Sequence, residues 1–267
     1  MKKILKNILQ LFGLEIRRKR RVPESNALPI KYIPGKHRCT MEASLTYIKS
    51  LGYWPDTIID IGAGSGTLPL LNVFPESRHL LFEPLQEFEP GLQKLKEIYN
   101  LEFRICALGK EDKKIQINVH KDLYGSSLLK EQDGAIADGV QREVEMISLQ
   151  SLQNLFHLSD ESTLLIKLDV QGAELEVLRS GEVLLQKADL VIMECSFFKF
   201  LLNSHDITEV IIYMKDQGFV IYEMFDFHNR PYDNALAQAD IIFVKENGLF
   251  RKVNNWATAA QREAAIS

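Results

Sequence analysis

Glycines at every second position, opened by an acid and preceded by β-branched apolar residues, mark the stretch with the most chemical content: Thr57-Ile58-Ile59-Asp60-Ile61-Gly62-Ala63-Gly64-Ser65-Gly66-Thr67. The apolar run predicts a buried strand, and Gly62, Gly64 and Gly66 predict a loop that a ligand approaches closely, because glycine leaves the backbone uncovered. Two further acids end apolar runs. His79-Leu80-Leu81-Phe82-Glu83-Pro84 ends in Glu83, ahead of a proline suited to opening a helix, and Leu164-Leu165-Ile166-Lys167-Leu168-Asp169 carries Lys167 inside a strand and ends in Asp169. In an open α/β sheet, ligands bind beyond the carboxyl ends of the strands, where the strand order reverses. Asp60 and Asp169 are therefore expected to face one crevice, with Glu83 at the end of the neighbouring strand.

The spacing bears on which ligand that is. A dinucleotide loop follows G-x-G-x-x-G, whereas the glycines here stand at 62, 64 and 66 and position 67 is Thr. A carboxylate at Asp60 would also sit near a pyrophosphate with no evident cation to offset it. S-adenosylmethionine carries a sulfonium and an ammonium and no phosphate, so an acid followed by G-x-G-x-G suits it better. Glu83 is placed to accept both ribose hydroxyls of either cofactor, and a nicotinamide oxidoreductase stays open as the alternative. Lys167, charged inside an apolar strand, needs a partner, for which Asp169 and Glu194 are the candidates.

At 267 residues the chain suits one α/β domain with extensions. Its 46% hydrophobic and 25% charged residues are those of an ordinary globular protein. The net charge of −4 is unevenly spread: residues 1–21 hold eight Lys or Arg against one Glu, a side-chain charge of +7, which leaves −11 for the rest. With Ile4, Leu5, Ile8, Leu9 and Phe12 on one face, residues 1–21 form a basic amphipathic helix on this reading, either lying on an anionic membrane surface or docked on the domain. Nucleic-acid binding is not expected, since no aromatic residues interleave the charges. Cys39, Cys106 and Cys195 are widely separated and lack a C-x-x-C pair, which argues against a disulfide framework and for a reducing compartment. With no apolar run long enough to span a bilayer and no cleavable leader, the expected location is cytoplasmic, with peripheral contact at the inner membrane surface through residues 1–21.

Around the motifs, residues 22–54 predict a Pro-containing connector and a leading helix ending near Leu51, preceded by His37, either a cofactor or substrate contact or an exposed polar residue. Helices are expected from Gly66 to Phe74, over 85–99, from Leu149 to Phe156 and from Ala173 to about Gln186. Leu101–Cys106 is a third strand, and Ala107-Leu108-Gly109 a turn placed to contact adenine. The period-two pattern of Lys114–His120 and part of Arg142–Ile147 predicts an inserted antiparallel ribbon over 110–147, whose long loop, with Tyr124-Gly125-Ser126-Ser127-Leu128, makes a substrate lid. Asp189–Glu194 is the fifth strand, Asp206 with Glu209 a capping box for a helix to Gln217, and Phe219–Met224 and Ala239–Val244 a terminal strand pair. If the last strand runs antiparallel, Asp240 joins Asp169 and Glu194 at one edge. Residues 248–267 form a C-terminal tail.

Together, Asp60-Ile61-Gly62-Ala63-Gly64-Ser65-Gly66, Phe82-Glu83-Pro84, Ala107-Leu108-Gly109, Gly125-Ser126-Ser127-Leu128, Lys167-Leu168-Asp169-Val170-Gln171-Gly172-Ala173-Glu174 and Gln238-Ala239-Asp240 resemble the FkbM-type methyltransferases over about residues 55–245, within a domain read as 55–247. The resemblance implies a Rossmann-like class I methyltransferase fold, α/β, with a seven-stranded, mostly parallel sheet in the order 3-2-1-4-5-7-6 and helices on both faces. It also implies S-adenosylmethionine as donor and O-methylation of a hydroxyl on a sugar, polysaccharide, glycolipid or related natural product. Position 171, often Glu in this block, is Gln here. Cofactor contacts fall on Asp60, Gly62, Gly64, Gly66, Glu83, Ala107 and Leu108. The proton acceptor is Asp169 oriented by Lys167, or else His228 in the loop before the final strand; a divalent ion on Asp169, Glu194 and Asp240 is the less favoured alternative, and no metal ligand is assigned. Asp169-Val170-Gln171-Gly172 stands where amine-methylating enzymes of nucleobases carry Asn/Asp-Pro-Pro-Tyr/Phe, so that chemistry is disfavoured. A non-catalytic membrane-surface module on the same fold is the remaining rival.

Overall fold

The β-branched runs become the centre of a sheet because their side chains fill both faces of a parallel strand. In this computed structural model, which describes residues 37–132, 137–156, 158 and 162–266, β1 (Thr57–Ile61) and β7 (Leu164–Leu168) are buried along their whole length. The amphipathic helix of residues 1–21 and the connector before His37 lie outside the described residues. Beside β1 run β2 (Arg78–Glu83) and β3 (Leu101–Ile105), and beside β7 run β8 (Leu190–Ser196), β10 (Leu236–Lys245) and the edge strand β9 (Phe219–Asn229). Numbered among themselves, these seven strands lie in the order 3-2-1-4-5-7-6; only β10 opposes its neighbours in direction. The order reverses between β1 and β7, so a crevice opens past Ile61 and Leu168.

Helices cover both faces. On one side α1 (Met41–Ser50), capped by Thr40, buries Met41, Leu45 and Ile48, a stripe at helical spacing, together with α2 (Leu68–Val73). The larger core lies on the other side, under α4 (Leu149–Phe156), α5 (Glu174–Arg179), α6 (Glu182–Lys187) and α7 (Ile207–Asp216), the last carrying the Asp206–Glu209 capping box. Between α2 and β3 the chain forms a 3₁₀ turn, Gln86–Phe88, and α3 (Glu89–Ile98). Among the described residues no helix is long and apolar enough to cross a membrane.

A second, three-stranded sheet holds the insertion: β5 (Lys113–Val119) pairs antiparallel with β6 (Val140–Ser148), and β6 pairs parallel with β4 (Ala107–Gly109). Ala107-Leu108-Gly109 is thus a strand, where a turn is predicted. The helix expected over 173–186 breaks at Ser180–Gly181. A side chain at Gly181 would meet Leu149 Cβ at 2.7 Å, and Ser180 Oγ accepts the Leu149 amide at 2.9 Å, so the start of α4 occupies the break. His228 lies within β9, which continues to Asn229, not in a loop. In the expected tail, Leu249 and Phe250 pack on the α1 face, with Phe250 edge-on to Tyr53, and Ala259–Ile266 form α8.

Candidate functional site

After Ile61 the chain turns sharply within reach of β7. Gly62 has φ +71°, and a Cβ there would lie 1.8 Å from the Asp169 carbonyl oxygen, so only glycine passes between the two strand ends. The Gly62 and Ala63 amides both donate to the Phe82 carbonyl, at 2.9 and 3.1 Å, which brings the loop over β2. There Glu83 receives the Gly64 amide on Oε2 at 2.8 Å and the Leu85 amide on Oε1 at 2.9 Å. Burial raises the Glu83 carboxyl pKa, against the pull of these two amides and of Lys167.

Gly62, Gly64, Glu83, Ala107, Leu108 and Asp169 line one cavity of about 510 Å³, a volume within the range of small-molecule sites. Asp169, Gln171, Glu194 and His228 close one part of its wall, and Cys106 joins Ala107 and Leu108 in another. Ile117, Tyr124, Ser126 and Leu128 of the inserted ribbon and its loop line it too, so this segment walls the cavity that holds the glycine loop. The Tyr124–Leu128 loop, expected as a substrate lid, thus borders the cavity on the side of the glycine loop as well.

Two of the expected contacts lie behind the wall. Asp60 is fully buried and faces Lys167, whose Nζ stands 3.4 Å from Asp60 Oδ1, 3.3 Å from Asp169 Oδ2 and 3.1 Å from the Gly62 carbonyl. The Lys167 ammonium is held charged by Asp169 and Asp60, which outweigh its burial. Lys167 therefore pairs with Asp60 as well as Asp169, and not with Glu194, and it supplies the cation whose apparent absence weighed against a phosphate. Gly66, at φ +97°, also stands off the cavity. A Cβ there would lie 2.4 Å from Leu95 Cδ1, so Gly66 lets the loop pack on α3. His37 is exposed and does not line the cavity; beside it Arg38 pairs with Glu223 of β9.

The turn after β7 adds residues that the sequence left without a role. Gln171, at φ +52°, donates from Nε2 to Asp169 Oδ1 at 2.8 Å and to Glu194 Oε2 at 3.2 Å, and Gln238 Nε2 reaches the same Glu194 oxygen at 3.0 Å. Ser127 Oγ donates to the Gln171 carbonyl at 2.7 Å, tying the ribbon loop to this turn. Buried Glu174 accepts the Val170 and Gly172 amides on Oε1, each at 3.1 Å. Asp240 stands opposite Glu194 in the β8–β10 register. Burial, reinforced by neighbouring carboxylates, pushes Glu174 up to about 7, Glu194 to about 8 and Asp240 to about 7. Among the described residues no group of three or more His, Cys, Asp or Glu side chains is arranged to hold a metal ion.

This cluster predicts a pH dependence. Each of the three acids holds its proton in the folded chain at a pH where an unfolded carboxyl has lost it. A raised acid contributes stability that is complete below the unfolded pKa and is lost as pH rises through the folded one. Between about pH 5 and 8 the unfolding free energy is expected to fall, on the order of 1 kcal/mol per pH unit for each such group. Urea denaturation across that range measures it, and Glu194→Gln is expected to flatten the slope; a rising or unchanged slope would contradict the assignment.

Residues 60–221 match the methyltransferase FkbM domain model. A protein of Beauveria bassiana named Methyltransferase 1 is 30% identical over 146 residues, 46% of this chain and 57% of that protein, so the chain spans little more than half of this relative. Among solved structures, magnesium protoporphyrin IX methyltransferase from Synechocystis, with bound S-adenosylmethionine, aligns at 14% identity and a TM-score of 0.41 over 91% of this chain and 96% of its own. Precorrin-6y C5,15-methyltransferase from Geobacter metallireducens aligns at 12% identity and a TM-score of 0.41, over 80% and 93% respectively.

Proposed function

Since this chain belongs to the FkbM methyltransferase family, we propose that it moves a methyl group from S-adenosylmethionine to a hydroxyl oxygen of a sugar, polysaccharide, glycolipid or related natural product. The observation that carries the donor assignment is the convergence of Gly62, Gly64 and Glu83 on one cavity that Asp169 also lines. The residues fit the donor. Gly62 and Gly64 leave the loop bare, and Glu83, each oxygen already holding one amide, keeps lone pairs for ribose hydroxyls. Ala107 and Leu108 offer an apolar wall to adenine. When bound, the donor supplies a methyl group on a sulfonium. The chain's own part is to hold the acceptor hydroxyl in line with it, exclude water and take up a proton.

An oxygen acceptor is supported by the turn after β7, where Asp169-Val170-Gln171-Gly172 leaves no proline-aromatic platform for a planar amine. Asp169, fixed by Lys167 and Gln171, orients that hydroxyl. We assign the chain to the cytoplasm, with residues 1–21 as a contact for an anionic membrane surface, a reading supported by their +7 charge.

The test is a thermal-shift titration with S-adenosylhomocysteine, with NAD and NADH in parallel. At about 100 times its dissociation constant, S-adenosylhomocysteine is expected to stabilise the fold by roughly 2.7 kcal/mol. Glu83→Gln is expected to weaken its binding roughly ten- to a hundredfold, the range for losing hydrogen bonds to a charged acceptor. A shift with the nicotinamides alone would replace this reading with an oxidoreductase; no shift with any of the three would favour the non-catalytic module.

A further inference from the structure

Behind the donor cavity lies a second one, of about 290 Å³, and Gln171 and Glu194 line both. Its other walls include Phe200, Leu201 and Ser204 from the segment after β8, with His205 and Gln238. That segment is fastened to the inserted ribbon: the Gln132 amide donates to the Phe200 carbonyl at 3.0 Å and the Leu202 amide to the Lys130 carbonyl at 2.7 Å. No Lys or Arg is among the described residues that line it; its ionisable groups are the acids Glu131, Glu174 and Glu194 and the imidazoles of His120 and His205. Such a chamber disfavours a phosphorylated or sulfated ligand. One apolar side, with acceptors and amides opposite, suits a neutral ring rich in hydroxyls.

Resting on the methyltransferase reading above, we propose that this second cavity takes the acceptor as one neutral sugar-like ring, and that Glu194, at the junction, receives the proton of the hydroxyl being methylated. Asp169 is poorly placed for that task. Its Oδ2 is paired with the Lys167 ammonium at 3.3 Å and its Oδ1 holds Gln171 at 2.8 Å, so both of its oxygens are already engaged. Glu194 is bonded by two neutral amides, both on Oε2. The charged groups facing it are Lys167 from β7, Asp169 from the turn after it, Asp240 from β10 and Glu174 from α5; with its burial, the three acids outweigh the lysine and leave it a stronger base than an ordinary carboxylate. A cation in the adjoining donor cavity opposes that effect and favours ionised Glu194. In the transfer, a lone pair of the acceptor oxygen becomes the new O–C bond and the C–S bonding pair returns to sulfur. The hydroxyl proton passes to Glu194, which ends as a neutral carboxylic acid.

The first readout is independent of turnover. Calorimetry of S-adenosylmethionine binding to the full chain at pH 7.5, in EDTA-containing buffers of different ionisation enthalpy, counts the protons released. The wild type is expected to release roughly half a proton more than Glu194→Gln, while Asp240→Asn keeps that excess. Equal counts in wild type and Glu194→Gln would overturn Glu194 as the acceptor of the proton. Absence of binding heat would overturn the donor reading and the proposal with it.

The second readout is saturation-transfer NMR with methyl glycosides of the common hexoses, in the presence of S-adenosylhomocysteine. Saturation is expected for at least one glycoside and is expected to be lost in Ser204→Trp, which fills the chamber, and reduced in Phe200→Ala, with the nucleoside still bound. Saturation of none, or saturation unchanged in both variants, would overturn the chamber assignment.

Discussion

Lys167→Met is expected to destabilise the fold by about 3–5 kcal/mol, the range for stranding one charge of a buried pair. The Lys167 side chain is 6% exposed and that of Asp60 2%, so water cannot replace the lost partner. The same ammonium also donates to the Gly62 carbonyl, so its loss frees the backbone where the glycine loop begins. Urea denaturation measures the effect, with an unchanged m-value marking a change in stability alone. Asp60→Asn combined with Lys167→Met removes both charges and is expected to recover most of the loss. A double variant as unstable as the single one would show that packing around the lysine stem, not the stranded carboxylate, dominates. Asp60 and Lys167 thus act on the cofactor through the backbone they hold, and their loss is expected to weaken S-adenosylhomocysteine binding without either touching it.

Gly62→Ala is the second large effect. A methyl group 1.8 Å from the Asp169 carbonyl, at φ +71°, forces the loop and the β7 turn apart. The expected result is a loss of roughly 2–4 kcal/mol of stability and at least a hundredfold in S-adenosylhomocysteine affinity, measured by calorimetry. Gly64→Ala serves as the comparison. Its φ is also positive, at +53°, but its nearest obstacle is the movable Tyr124 ring at 3.2 Å, so its effect on binding is expected to stay within about tenfold. Equal losses at the two positions would mean that the close approach to β7 does not shape the site.

The strands were legible because parallel, doubly buried strands are continuous apolar runs, and the glycine loop, Glu83 and Asp169 were legible because each ends such a run. Asp240 was legible at the edge of Asp169 and Glu194, since an antiparallel last strand starts there; that it pairs directly with Glu194 is a matter of register that direction does not decide. Sequence spacing could not say which way Asp60 points. One residue of pleat separates the cavity from the core, and Lys167 lies directly across from Asp60 in the neighbouring strand. Gln171 was visible only as a departure from the Glu often found at that position; its bridging of Asp169 and Glu194 depends on a positive φ that nothing local announces in a Val-Gln-Gly turn. The break at Gly181 was hidden for a similar reason, because the residue that fills it, Leu149, is distant in the chain. His228 was assigned to a loop because Asp226, His228 and Asn229 break the apolar run at the exposed end of β9.

The inserted ribbon meets both the donor cavity and the segment after β8. Tyr124 and Leu128 border the glycine loop's cavity, while Lys130 and Gln132 fasten the segment that carries Phe200. Acceptor preference in this scaffold is therefore not a cassette that can be transplanted between relatives. A chimera that exchanges residues 110–147 alone would alter the nucleoside pocket along with the acceptor chamber, whereas one that also carried the Phe198–Ser204 segment and kept tyrosine at position 124 would preserve both seams.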